Sequence, residues 1–228
     1  MALILQIETS TTVCSVALSE NGKCIALKEL NERNIHASSI TVFIEEVMKI
    51  ANRKYAELNA VSIAMGPGSY TGLRIGVSTA KGLCYALNIP LIAINTLEMM
   101  VEGYLTENKN FDGLVVPMLD ARRMEVFAGV WKNATTVIAP TAAVLLDENT
   151  FENYLNNQKL VFIGDGAPKF FEVMKHENAK FDFKNYNSAA YLSSLAYQKF
   201  NDSKFEDVAY FEPFYLKDFM VTTPKKKL

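Results

Sequence analysis

Val61-Ser-Ile-Ala-Met65, followed at once by Gly66-Pro-Gly-Ser-Tyr-Thr-Gly-Leu-Arg-Ile-Gly76, decides how this chain folds. Four of the first five residues are apolar, two are β-branched, and the run ends at glycine, so they read as a buried strand. From Thr71 to Leu87 there is no proline and the residues suit a helix. The glycines between them form a tight strand-to-helix turn, the geometry that presents backbone N–H groups at a helix N-terminus. The common anion-binding and catalytic loops do not fit this spacing. A Walker A loop needs Lys-Ser/Thr after its last glycine, and no such pair follows Gly72 or Gly76. A dinucleotide fingerprint needs glycine where Thr71 stands. A nucleophile elbow needs glycine where Pro67 precedes Ser69. The turn must serve another purpose.

Upstream, Leu3 to Ile7, Val13 to Leu18 and Cys24 to Glu29 read as strands, the last two joined by Glu20-Asn-Gly-Lys23. Asn-Gly readily takes the positive φ angles of a two-residue hairpin. His36 to Ala51 reads as an amphipathic helix with Ile40, Phe43, Ile44, Val47, Met48 and Ala51 on one face. Strand 61–65, helix 71–87, strand Leu91 to Ile94 and a helix from Thr96 complete a βββαβαβα series. The polar stretch Glu102 to Gly113 is the expected connection between an N-terminal lobe, 1–105, and a smaller C-terminal lobe, 106–228. The pattern leaves open whether the C-terminal end returns to the first lobe.

The second lobe starts as the first does. Leu114 to Leu119 and Glu125 to Trp131 read as strands around Asp120-Ala-Arg-Arg123. An offset of 112 residues puts Ile7-Glu8 on Leu119-Asp120 and Cys14-Ser-Val-Ala on Val126-Phe-Ala-Gly. Each half thus has a strand ending in a carboxylate, a short polar turn and a returning strand. Two facing lobes of this kind make the actin-like ATPase (ASKHA) fold, while two unrelated hairpins would give the same pattern. The rest of the second lobe reads as reduced: a strand Leu160 to Ile163, a turn Gly164-Asp-Gly166, and a helix Lys169 to His176 led by Pro168. A last helix, Ala189 to Phe200, is capped by Ser188.

Composition narrows the chemistry. A net charge of -2 and a pI near 5.8 argue against a self-sufficient nucleic-acid binder, which carries a basic excess. Cys14, Cys24 and Cys84 form no CxxC pair and read as reduced packing residues of a cytoplasmic protein. No basic leader precedes Leu3 and no apolar run reaches membrane-spanning length. A helical metal pair with His36 would need a second histidine where Ile40 stands, and His176 is 140 positions away, so no metal is expected.

Two turns are candidate degenerate phosphate sites: Glu8, Thr9 and Ser10 after the first strand, and Asp120 with Arg122 in its counterpart. The first lacks the glycine that lets backbone approach a phosphate closely. A Thr/Ser-rich turn satisfying its own backbone, and an Arg–carboxylate pair, are the ordinary alternatives. Gly72, Gly76, Ala80 and Cys84 recur every four residues beside Thr79 and Leu83. Each helical glycine costs roughly 1 kcal/mol, so a close approach must offset it. That approach is either to the chain's own sheet or to a partner. The partner reading makes His36, Ile40, Phe43, Ile44, Val47, Gly72, Gly76, Thr79, Ala80 and Leu83 a docking face. Lys225-Lys226-Lys227 reads as a solvated tail.

The segments Ile4 to Thr11, Cys14 to Leu18, Gly66 to Gly76, Ile92 to Leu97, Leu119 to Arg122 and Pro213 to Lys217 together resemble the TsaB (YeaZ) family. Glu8 and Lys217 stand where that family usually has aspartate and arginine. The resemblance implies the actin-like fold and a non-catalytic subunit that pairs with TsaD, assisted by the ATPase TsaE. That complex places threonylcarbamoyl on adenosine 37 of tRNAs reading codons that begin with A. It also implies a homodimer in isolation, through the two helices of the first lobe. No cofactor of its own is implied, and ATP or ADP would belong to the interface of the complex. A stand-alone actin-like transferase or kinase would need a glycine-bearing phosphate turn, and a metallopeptidase would need metal ligands. The sequence meets neither requirement.

Overall fold

The computed structural model describes residues 2–217 of the 228, so the Lys225–Lys227 tail lies outside the described residues. The chain opens with β1 (Leu3–Glu8), β2 (Val13–Glu20) and β3 (Lys23–Asn31). Asn21 and Gly22 take φ values of 50° and 80°, the left-handed pair a two-residue hairpin requires. Then come α1 (His36–Ile50), β4 (Ala60–Ala64), α2 (Tyr70–Leu87), β5 (Leu91–Ile94) and α3 (Thr96–Glu107). Ser69 caps α2 and Asn95 caps α3, their side chains accepting the Gly72 and Leu97 N–H groups. Asn88 ends α2 with a φ of 53°.

The second half runs β6 (Leu114–Asp120), β7 (Glu125–Asn133), β8 (Thr136–Leu145), α4 (Glu152–Leu155), β9 (Leu160–Ile163), α5 (Ala167–Val173), β10 (Ala179–Asp182) and α6 (Leu192–Asn201). The two five-stranded sheets have the orders β3-β2-β1-β4-β5 and β8-β7-β6-β9-β10. In each, the central strand pairs antiparallel on one side and parallel on the other. The offset of 112 carries the end of β1 onto the end of β6 and the start of β2 onto the start of β7. The repeat in the sequence is therefore a repeat of topology. The reduction of the second lobe falls on its helices, since α4 and α5 have 4 and 7 residues against 15 and 18 in α1 and α2.

The structure departs from the sequence reading in four places. The stretch Glu102–Glu107 continues α3, because Gly103 and Tyr104 are buried on its inner side. The boundary read at residue 105 thus falls inside a helix. β8 was not anticipated: it is an edge strand with register shifts and contains Pro140, which blurs its alternation. β10 has only four residues, too few for a period to show. The helix expected over Lys169–His176 begins earlier, at Ala167, with proline in its first turn.

Period-2 alternation sorts each central strand between two cores. Leu3, Leu5 and Ile7 of β1 face α1 and α2, meeting Ile40, Ile44, Val47, Val77 and Ala80. Ile4, with Ala60, Ala64, Ile92 and Ile94, faces α3 and α6. Val115, Leu119, Trp131 and Ile163 join that same middle core from the second sheet, whose outer face packs on α4 and α5 through Val116, Phe162 and Phe170. α3 and α6 thus lie between the sheets and the lobes share one core. Beyond α6 the chain runs back over the first lobe: Glu206 N–H donates to Leu91 C=O, Lys81 Nζ to the Ala209 and Phe211 carbonyls, and Phe214 N–H to Met65 C=O.

Candidate functional site

The glycine run closes onto the turn after β1. Ser69 N–H donates to Ser10 C=O at 2.6 Å and Thr9 Oγ1 to Gly72 C=O at 2.8 Å. A Cβ on Gly68 would stand 2.3 Å from Ser10 O, one on Gly72 2.1 Å from Thr9 O, and one on Gly76 2.2 Å from Thr9 Oγ1. No side chain fits there. The glycines exist to let the loop and the first turns of α2 lie against residues 9–10 of the same chain.

Glu8 is sealed beneath this contact. It is fully buried, and its Oε1 accepts Ser10 N–H at 2.8 Å and Ser10 Oγ–H at 2.5 Å. Burial pushes its carboxyl up to about 7, against the pull of those two hydrogen bonds. Glu8 and Thr9 therefore do not reach the space between the lobes. Ser10, Asp120 and Arg122 do, lining a cleft of about 1010 Å³ with the Pro67–Gly72 loop and Phe214–Lys217.

The opposite wall is the turn 120–125. Arg122 and Arg123 take φ values of 72° and 51°, and Arg122 N–H donates to Asp120 Oδ1 at 2.6 Å. Lys169 Nζ ties the turn down through Asp120 Oδ1, Arg123 C=O and Glu125 C=O, at 2.8, 2.8 and 2.9 Å. Burial pushes the Asp120 carboxyl up, but Lys169 and the Arg122 N–H outweigh it and leave it below the usual carboxylate range. Asp165, which accepts Asp120 N–H at 2.9 Å, is held above that range by burial. Lys217 pairs with Glu125 across the mouth. Tyr215 lies 4.9 Å from the Tyr70 ring and accepts from Arg74 Nε, whose guanidinium sits 4.3 Å over Tyr70. Arg33, Arg122 and Arg123 line the cleft without an ion pair among the described residues. The walls are thus mostly tied to themselves. Lys169 and Asp165, joined to the turn only by the fold, and Arg33, which the fold brings to the cleft, escaped the sequence reading; Lys217 was visible as the end of Pro213–Lys217.

The expected docking face turns inward. His36, Ile40, Ile44, Val47, Gly72, Gly76 and Ala80 are buried, against the chain's own sheet and turn. His36 Nε2 lies 3.1 Å from Val13 C=O and pins the start of α1 to β2. Only Phe43, Thr79 and Leu83 of the ten are partly exposed. The glycine row met its close approach inside the subunit. The large apolar side chains that α1 and α2 present outward are Val42, Ile50 and Tyr85.

Two sheets of one strand order, with the turns after their central strands facing each other over a cleft, define an actin-like (ASKHA) fold. The chain superposes on YeaZ from Pseudomonas aeruginosa with a TM-score of 0.83 at 23% identity, covering 95% of this chain and 100% of that one. The inorganic polyphosphate/ATP-glucomannokinase from Arthrobacter sp. strain KM shares the fold at a TM-score of 0.53 and 8% identity, covering 87% and 99%. Residues 29–225 match the family model described as TsaD, tRNA N6-adenosine threonylcarbamoyltransferase. The chain is also 30% identical over 226 residues, 94% of each, to the tRNA threonylcarbamoyladenosine biosynthesis protein TsaB of Escherichia coli (strain K12). It belongs to the TsaB family of tRNA threonylcarbamoyladenosine biosynthesis proteins.

Proposed function

We propose that this chain is the non-catalytic subunit that pairs with a TsaD transferase, with TsaE as the associated ATPase, to form threonylcarbamoyladenosine at position 37 of tRNAs reading codons that begin with A. The observation that carries this reading is the closure of the Gly66–Gly76 loop on Thr9 and Ser10, with Glu8 buried beneath. A phosphate turn needs open backbone N–H groups and a carboxylate in reach of the ligand. Here the Ser10 N–H is spent on Glu8, the Ser10 C=O accepts the Ser69 N–H of the loop, and the acid faces the interior. Loss of an enzyme's turn with retention of its fold suits a scaffold.

The outward apolar residues Val42, Ile50 and Tyr85 of α1 and α2 support a partner surface on that helix pair, used by TsaD in the complex and by a second copy in isolation. ATP or ADP belongs to the assembled interface. We place the protein in the cytoplasm; its three cysteines are unpaired, and among the described residues no helix is long and apolar enough to cross a membrane. The test is co-purification with the organism's TsaD, followed by tRNA modification with and without this chain. TsaD should be retained and modification should require both. Full modification by TsaD and TsaE alone, or activity of this chain alone, would refute the proposal.

A further inference from the structure

The inner face of the first sheet carries a polar stripe that the cleft does not use. Gln6 and Ser62 are register partners on β1 and β4, and both are 0% exposed. Gln6 Nε2 donates to Ser19 Oγ at 2.6 Å, which leaves Oε1 as an acceptor. Gln6 Oε1, Ser62 Oγ and the buried Ser193 Oγ of α6 have no hydrogen-bond partner.

The packing of α6 brings the third atom over the other two. Ala189 N–H, in the 3-10 turn (Ala189–Tyr191) that leads into α6, donates to Ser15 Oγ at 2.9 Å, and Ser15 is the register partner of Glu8. The four residues from this 3-10 turn into α6 advance about 7 Å, and two strand residues back advance about 7 Å. Ser193 therefore stands at the level of Gln6 and Ser62. Its lateral position is fixed by two neighbours. Tyr197, one turn on, lies toward the β2–β3 hairpin, where a Cβ on Gly22 would stand 3.1 Å from it. Lys199 Nζ reaches the other way, to Ala93 C=O of β5 at 2.8 Å. Between them lie β1 and β4.

We infer that a water molecule is bound in this layer, donating to Gln6 Oε1 and exchanging hydrogen bonds with the Ser62 and Ser193 hydroxyls. The chemistry selects water: one acceptor and two hydroxyls are buried without partners at one level of this layer, and a buried water typically makes about three hydrogen bonds to such groups. Gln6 lies two residues before Glu8, and Ser62 four before Gly66. The water thus mounts α6 on the two strands whose ends build the cleft.

The test is a high-resolution crystal structure of the full chain with a thermodynamic cycle of Ser62→Ala, Ser193→Ala and the double variant. Density for an oxygen within hydrogen-bonding reach of all three atoms is expected. Each single variant should lower the folding equilibrium constant about tenfold, because it strips a leg from a buried network. The double variant should lose less than the product of the two, since both act through one water. An empty layer, or losses that multiply fully between two hydroxyls that share no direct bond, would overturn the inference. The wild-type density decides even if a variant fails to fold.

Discussion

Gly72 and Gly82 lie in the same helix, and the structure predicts opposite consequences for the same change. Alanine is better than glycine in a helix interior by about 1 kcal/mol. At Gly82 nothing lies within 4 Å of the added Cβ, so Gly82→Ala should gain that amount. At Gly72 the Cβ would stand 2.1 Å from Thr9 O, a backbone atom that cannot swing aside. Relieving the clash means lifting α2 from the turn, which costs about 1–3 kcal/mol as overpacking. It also strains the Thr9 Oγ1 bond to Gly72 C=O, and a lost buried hydrogen bond adds about 1–3 kcal/mol. After the helix gain, Gly72→Ala should lose about 2–4 kcal/mol. For a chain of this size each kcal/mol shifts Tm by roughly 2–4 °C. Thermal and urea unfolding followed by circular dichroism should place Gly72→Ala roughly ten degrees below wild type and Gly82→Ala slightly above it. If both variants gained alike, the glycines would not be held by the turn, and the closed-loop argument for function would fall with them.

Two further outcomes follow from buried residues. The Glu8 carboxyl is raised from 4.5 to about 7 by burial, so the folded state holds a proton that the unfolded state has released between those values. That stability is fully present below pH 4.5 and is lost as pH rises through 7, by about 3 kcal/mol in all. Glu8→Gln should flatten the fall of urea midpoint between pH 5 and 8, and an unchanged slope would assign it to other groups. Ala80 is 0% exposed against Val61 and Ile63, so Ala80→Trp should unfold the monomer; a folded monomer by circular dichroism, with only weaker association by ultracentrifugation, would return that face to the surface.

The chain order of strands, the Asn21-Gly22 hairpin, the amphipathic α1 and the strand–turn–helix around Gly66 were legible because each is a local property: period, turn chemistry and caps act within a few residues. The 112-residue repeat was legible too, since two lobes of one topology place a carboxylate at the end of each first strand. Edge strands β8 and β10 were not, because half-exposed or four-residue strands carry little periodicity. The glycine row shows the limit most clearly. Spacing alone demanded a close approach on one side of α2, but it had no means of naming the partner. Only the fold decides that the partner is Thr9, 63 residues earlier in the chain, and not a second protein. The same holds for Glu8, whose type suggested a ligand turn until packing buried it, and for Lys169, which clamps a turn 49 residues before it. Local sequence sets which backbone shapes are cheap; which distant surface meets them is settled by how the two sheets and their shared helices pack.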